Sequence, residues 1–291
     1  MNAEKVVILA AITGGTQQDK DGAKVPVTPE EIAAEALRCF EAGAAVVHIH
    51  ARDENRQPSG DLKLFSKIIS LIRAKCGILI QTTNGIGSKR DPATGRISRP
   101  TDEERLALIN IEPRQDLFSI AGGSWDFWHP GVPGHNEFSF ANSAEFLRKT
   151  IPRVLATPGA LEFEIVEPSF LQKLARLSDE GVFERDHPRI WLDYCFGFGG
   201  MPPTCRALAC VLDEGRRLFP QAKWEVLATH RDQFPMNTIG ILSGCHIVRV
   251  GFEDNLHLPN GKVARNNAEL VAAMVRIARE FGREPATVTE D

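Results

Sequence analysis

The sequence predicts a (β/α)8 barrel in one domain spanning residues 1–291, and three observations carry that prediction. Short apolar runs of strand length alternate strictly with amphipathic helix patterns through eight cycles. The chain has 291 residues, and a barrel of this kind takes roughly 250. The rival for such alternation is an open doubly wound sheet, and its fingerprint is missing. No G-x-G-x-x-G follows the first strand, where Thr13-Gly14-Gly15-Thr16 leads into a polar loop, and there is no P-loop pattern.

The strands read, in order, as Lys5–Ile12, Ala45–His50, Gly77–Thr82, Leu117–Ala121, Leu161–Val166, Arg189–Tyr194, Trp224–Ala228 and His246–Val250. Most are rich in β-branched and other apolar residues, as strands covered on both faces must be. The first helix opens on Thr28-Pro29-Glu30-Glu31: a cap residue, proline at the first helical position and acids in the first turn. Its apolar spacing runs through Phe40, and Gly43 ends it. Leu62–Ala74, Asp102–Asn110, Ser143–Leu155, Ser169–Asp179, Thr204–Phe219, Met236–Leu242 and Asn266–Phe281 repeat the pattern. No low-complexity linker divides the chain.

Composition excludes several classes of function. A formal net charge of −4 argues against nucleic acid or an anionic membrane as the main partner. No segment reaches the roughly 18 apolar residues of a membrane span. The start, Met1-Asn2-Ala3-Glu4-Lys5, leads into a strand-like run without a secretory pattern. Cys39, Cys76, Cys195, Cys205, Cys210 and Cys245 are scattered and show no C-x-x-C spacing. A reduced, cytoplasmic protein is expected.

The chemistry collects at strand ends, where barrel active sites lie. In Ala44-Ala45-Val46-Val47-His48-Ile49-His50, the period of two turns both histidines to one face, where they can share a metal ion. A bare H-x-H fits equally well a pair of core histidines bonded to backbone carbonyls. After the eighth strand comes Val248-Arg249-Val250-Gly251-Phe252-Glu253-Asp254-Asn255. Only the first strand separates the eighth from the second around a closed ring, so Glu253 can reach the same ion. Two histidines and a carboxylate leave open positions for water or substrate, as catalytic zinc sites do. Alone, Glu253 reads as a solvated loop carboxylate; the histidines favour a ligand.

Other strand ends carry Thr82-Thr83-Asn84-Gly85, Ala121-Gly122-Gly123-Ser124 and Gly197-Phe198-Gly199-Gly200-Met201-Pro202. Glycines there admit a ligand to the backbone, although an ordinary turn explains any one of them. His230-Arg231 follows the seventh strand, a frequent barrel phosphate position. Glu162 and Glu164 share a face of the fifth strand, inward or outward. His129, His135, His187, His246 and His257 read as structural or solvated. Trp125, Phe127 and Trp128 read as a loop cluster covering the mouth or meeting another subunit. Lys89, Arg90, Arg96 and Arg99 read as one solvated or anion-attracting loop.

These strings resemble those of the β-keto acid cleavage enzymes. The resemblance is carried by Thr28-Pro29-Glu30-Glu31-Ile32, by the run from Glu41 through His48 and His50 to Asp53, by Gly199-Gly200-Met201-Pro202, and by Val248 to Leu256. It runs nearly end to end. It implies a (β/α)8 fold, bound Zn²⁺, a homo-oligomer (a tetramer) and a reaction of a β-keto acid with acetyl-CoA giving acetoacetate and a new CoA thioester. By position it makes His48, His50 and Glu253 the zinc ligands and Arg249 with Asp254 the catalytic pair. Gly199, Gly200 and Arg231 become candidates for holding acetyl-CoA; Thr16, Thr82, Thr83 and Ser124 become candidates for the β-keto acid. Two positions depart from the pattern. The aminohexanoate-cleaving members have a glutamate for the substrate ammonium where this chain has Thr16, which points to a distal group that is neutral or anionic. The threonine expected before the glycine after strand four is absent, leaving Ser124 as the hydroxyl there.

Two other classes compete for the same residues. An amidohydrolase-type barrel has its H-x-H after strand one and further histidines after strands five and six, whereas Val166-Glu167-Pro168 and Tyr194-Cys195-Phe196 hold none. A non-catalytic barrel requires a vestigial metal site, yet all three ligand candidates and the Arg249–Asp254 pair are intact.

Overall fold

In the computed structural model, which describes residues 5–15, 17–90, 97–127, 138–197 and 199–288, eight parallel strands close into a barrel. They are β1 (Val7–Ala11), β2 (Val46–His48), β3 (Leu79–Thr83), β4 (Leu117–Ala121), β5 (Ala160–Ile165), β6 (Ile190–Phe196), β7 (Lys223–Ala228) and β8 (Ile247–Val250). The helices α1 (Pro29–Glu41), α2 (Leu62–Arg73), α3 (Asp102–Ala107), α4 (Ala144–Leu155), α5 (Pro168–Asp179), α6 (Cys205–Leu218), α7 (Gln233–Leu242) and α8 (Asn267–Glu280) fall where the pattern places them. Thr28 caps α1 with a reciprocal bond from Glu31, and Thr101, Ser143, Thr204 and Asn266 cap α3, α4, α6 and α8. Each cap satisfies amide groups that the first turn leaves unpaired. Among the described residues, no helix is long and apolar enough to cross a membrane.

Three short antiparallel hairpins do not announce themselves in the pattern: Ala51–Arg52 with Pro58–Ser59, Lys89–Arg90 with Ile97–Ser98, and Trp125–Phe127 with Phe138–Phe140. The Trp125 region is therefore strand rather than loop, and its indole packs on Phe140 and Phe170. Two-residue strands are too short for alternation to show.

The registers stagger successive strands, so inward side chains from alternate strands share a level. Val46, Leu117, Trp191 and Ile247 make a mainly apolar level low in the barrel. Leu9, Gln81, Glu162 and Glu225 stand on it. Above come His48, Ser119, Asp193 and Arg249, then Ala11, Thr83, Glu164 and Leu227. His50, Ala121 and Cys195 stand at the mouth.

Candidate active site

β2 and the turn after it carry His48 and His50 to the C-terminal end of the barrel, both buried. The His48 and His50 Nε2 atoms lie 3.2 Å apart; His50 Nε2 lies 3.3 Å from Glu253 Oε1, and His48 Nε2 lies 3.6 Å from Glu253 Oε2. Bonds of about 2.1 Å at tetrahedral angles place donor atoms roughly 3.4 Å apart, so three such separations fit one shared ion. Among the described residues, these three are the one histidine, cysteine and carboxylate cluster with ligand spacing. Glu253 Oε2 is buried without a hydrogen-bond partner, as a ligand oxygen is when its ion is not counted.

The state of each donor suits a cation. Burial pushes His48 down to about 3, so its ring is neutral near pH 7. Gln81 Oε1 lies 2.7 Å from His48 Nδ1 and accepts its proton in the tautomer that leaves the Nε2 lone pair free. Burial pushes Glu253 up, but Arg249, His50 and His48 outweigh it and hold the carboxylate well below its usual range. The β1 loop closes over this carboxylate. Gly14 has φ +64°, and a Cβ there would meet Glu253 Cγ at 2.8 Å, so only glycine fits.

Beside the triad, Arg249 Nε donates to Asp254 Oδ2 at 2.9 Å and its Nη2 to Asp254 Oδ1 at 3.2 Å, with Glu253 Oε1 at 3.0 Å from Nη2. The guanidinium and both carboxylates are thus held as one buried unit. Burial raises the Asp254 carboxyl above its usual range although Arg249 opposes the rise. Such a carboxylate is a stronger base than an ordinary aspartate.

Glu162 and Glu164 both face the barrel interior, which settles what alternation left open. Glu164 accepts a hydrogen bond from Ser119 Oγ at 2.8 Å and is pushed by burial up to about 7. Glu162, Asp193 and Glu225 stand deeper and fully buried, with carboxyl oxygens that lack donors. Burial raises Asp193 and Glu225 well above the carboxylate range, and a Glu162–Glu225 contact adds to the rise at Glu225. Burial thus biases both toward the neutral acid.

The structure divides the remaining candidates. Thr83 shares the inward face of β3 with Gln81, whereas Thr82 points outward into the helix layer, so its place among the substrate residues is corrected. Two adjacent threonines at a strand end fix no parity by themselves. Ser124 Oγ accepts from the Asn142 amide at 2.9 Å and so ties down the loop after β4. A Cβ on Gly200 would lie 2.2 Å from the Val166 carbonyl oxygen, so packing against the end of β5 already requires glycine there. Gly199 is exposed with φ +89°, and Arg231 is exposed in the short helix after β7. His187 and His246 each accept a backbone amide bond and are structural. Thr16, Arg96, Trp128, His129 and His135 lie outside the described residues.

With this geometry in place, comparison with known proteins is decisive at the family level. A family model described as beta-keto acid cleavage enzyme matches residues 5–291. The chain belongs to this family. Among β-keto acid cleavage enzymes, the 3-keto-5-aminohexanoate cleavage enzyme of Acetoanaerobium sticklandii is 31% identical over 289 residues, covering 99% of this chain and 96% of that one. The 3,5-dioxohexanoate:acetyl-CoA acetone transferase of Paraburkholderia graminis is 28% identical over 298 residues, covering 98% and 94%. The solved apo structure of ObcA matches with a TM-score of 0.72 at 18% identity; it covers 91% of this chain, which spans only 64% of that longer one, and the likeness is one of fold.

Two side chains that hold the site were not singled out from sequence. Gln81 stands out as a polar residue on the inward parity of an apolar strand, and that was the available signal. Arg52, two residues after His50, gives no local sign of its partners.

Proposed function

We propose that this β-keto acid cleavage enzyme is metal-dependent, with His48, His50 and Glu253 holding one divalent ion, Zn²⁺ foremost, and with acetyl-CoA as co-substrate. The single observation that supports it is the convergence of the three ligand atoms beside the Arg249–Asp254 pair at the C-terminal strand ends. When bound, the ion supplies a Lewis acid that favours the enolate of the β-keto acid. Asp254, its carboxylate held by Arg249, takes the proton from the carbon between the keto and carboxylate groups of the substrate, and Arg249 stabilises the negative charge that develops. The carbanion attacks the acetyl carbonyl and expels the CoA thiolate. The thiolate then attacks the original keto carbon, the carbon–carbon bond breaks, and Asp254 returns its proton to give acetoacetate and a new acyl-CoA. Thr83 and Ser124 are the hydroxyls proposed to face the β-keto acid, and Gly199 with Arg231 the positions proposed to meet CoA. The enzyme is further proposed to be a cytoplasmic homo-oligomer.

The distal group of the substrate is proposed to be neutral or anionic. Thr16 offers no carboxylate for an ammonium, and Glu164 titrates near neutrality while already committed to Ser119. A lost charge-assisted contact costs about tenfold in discrimination or more. The test is to give the metal-loaded protein acetyl-CoA with a panel of β-keto acids. Acetoacetate and a matching acyl-CoA are expected, abolished by a chelator and restored by the ion. No product across the panel, or chelator-insensitive turnover, overturns the reading. Greater kcat/KM for 3-keto-5-aminohexanoate than for 3-ketohexanoate overturns the distal-group assignment.

A further inference from the structure

Arg52 stands two residues beyond His50, in the short strand Ala51–Arg52, and is 2% exposed. Among the described residues it forms no ion pair. Its donors are spent on one loop: Nε donates to the Gly14 carbonyl at 2.9 Å, Nη1 to Gln17 at 2.7 Å and Nη2 to Thr13 at 3.0 Å. That loop follows β1 and reaches two of the three ligand candidates. Gly14 packs on Glu253, and a Cβ on Gly15 would touch His50 Nδ1 at 3.9 Å. The Gln17 side chain then donates to the Phe252 carbonyl at 2.9 Å, one residue before Glu253. A buried guanidinium is costly to desolvate, and carbonyl oxygens repay that cost only in a geometry that engages several N–H groups at once.

We propose that Arg52 is a positioning residue for substrate binding: its planar fork, bonded to the Thr13, Gly14 and Gln17 carbonyls, holds these residues across the mouth, between the His50 and Glu253 sides of the site, and so sets the wall against which the β-keto acid lies. This rests on the proposed reading of the site. Lysine keeps the charge but presents one nitrogen, which cannot serve three carbonyls arranged around a fork.

The test is Arg52→Lys in the full-length, metal-loaded protein, read by hydrogen exchange of the peptide spanning residues 12–19 and by steady-state kinetics. Exchange is expected to rise about tenfold there and to stay unchanged in β4–β6, with KM for the β-keto acid up about tenfold, kcat within threefold and metal content intact. Wild-type exchange and KM in Arg52→Lys overturn the proposal, because charge alone then suffices. A fall in kcat at unchanged KM overturns it too. If Arg52→Lys does not fold, Gln17→Ala removes the side-chain tie to Phe252 and leaves the fork; exchange of the same peptide within about threefold of wild type supports the proposal, and a rise of about tenfold, which puts the hold on Gln17 instead, overturns it. Exchange does not require turnover, so failure of the loop assignment is distinguishable from failure of the functional reading.

Discussion

The lower interior of the barrel holds Val46, Leu117 and Ile247, packed with Leu9 from the next level, whereas the levels above hold Gln81, Glu162, Glu225, His48, Ser119, Asp193 and Arg249. Both regions are closed from water and built by the same strands. The lower one releases apolar surface from water and demands nothing in return. The upper one carries donors and acceptors at a desolvation cost, with several carboxyl oxygens left without donors. Stability is concentrated below and chemistry above, so substitutions in the two regions should separate cleanly.

The largest effect is expected at the top. His48→Ala leaves two ligands, so bound metal should be lost by elemental analysis and turnover should fall by about a thousandfold or more, a Lewis acid being worth several kcal/mol. Stoichiometric metal in that variant would remove His48 from the ligand set. Next, Asp254→Asn should keep the fold and the metal while kcat falls about 10²- to 10⁴-fold with little change in KM. Near-normal kcat would reduce the Arg249–Asp254 contact to a structural ion pair.

The lower level should behave in the opposite way. Leu117→Ala is expected to cost about 2–5 kcal/mol in urea unfolding while leaving kcat/KM within about twofold at temperatures where it is folded. A large kinetic defect there would break the division.

The smallest and most specific effect is a pH dependence. Glu164 titrates near 7 when folded against 4.5 when free, because burial disfavours its anion. An acid raised in the folded state contributes stability that is fully present below about pH 4.5 and is lost as pH rises through about 7. The loss amounts to about 3 kcal/mol, and Asp193 and Glu225 extend it in the same direction. Glu164→Gln should therefore gain on the parent as unfolding is measured from about pH 5 to pH 8. A constant difference across that window would mean that Glu164 does not titrate there.

Much of this architecture is legible in the chain. The β4 run Leu117–Ala121 coincides with its strand, and the others differ by a few residues at their ends, where fraying and turn geometry decide the boundary. The convergence of His48, His50 and Glu253 is legible because it needs two facts only: period-two alternation for the two histidines, and ring closure with β1 alone between β8 and β2. Thr82 and Thr83 are not separable that way. Their parity is anchored by Gln81, whose bond to His48 is a contact between strands. Gly200 reads as an open backbone in sequence, yet it faces the Val166 carbonyl of another strand end.

By itself the sequence determined the order of elements, the helix caps, the strand-end location of the polar residues and the shared face of His48 and His50. All of these depend on spacing along one segment, where local geometry has a fixed period. The tertiary structure alone decided that Glu162, Asp193 and Glu225 stand together as buried acids, that Gln81 meets His48 Nδ1 and that Arg52 holds the β1 loop. Those depend on the stagger between strands and on which carbonyls a long side chain meets, and neither is written in the period of any one segment.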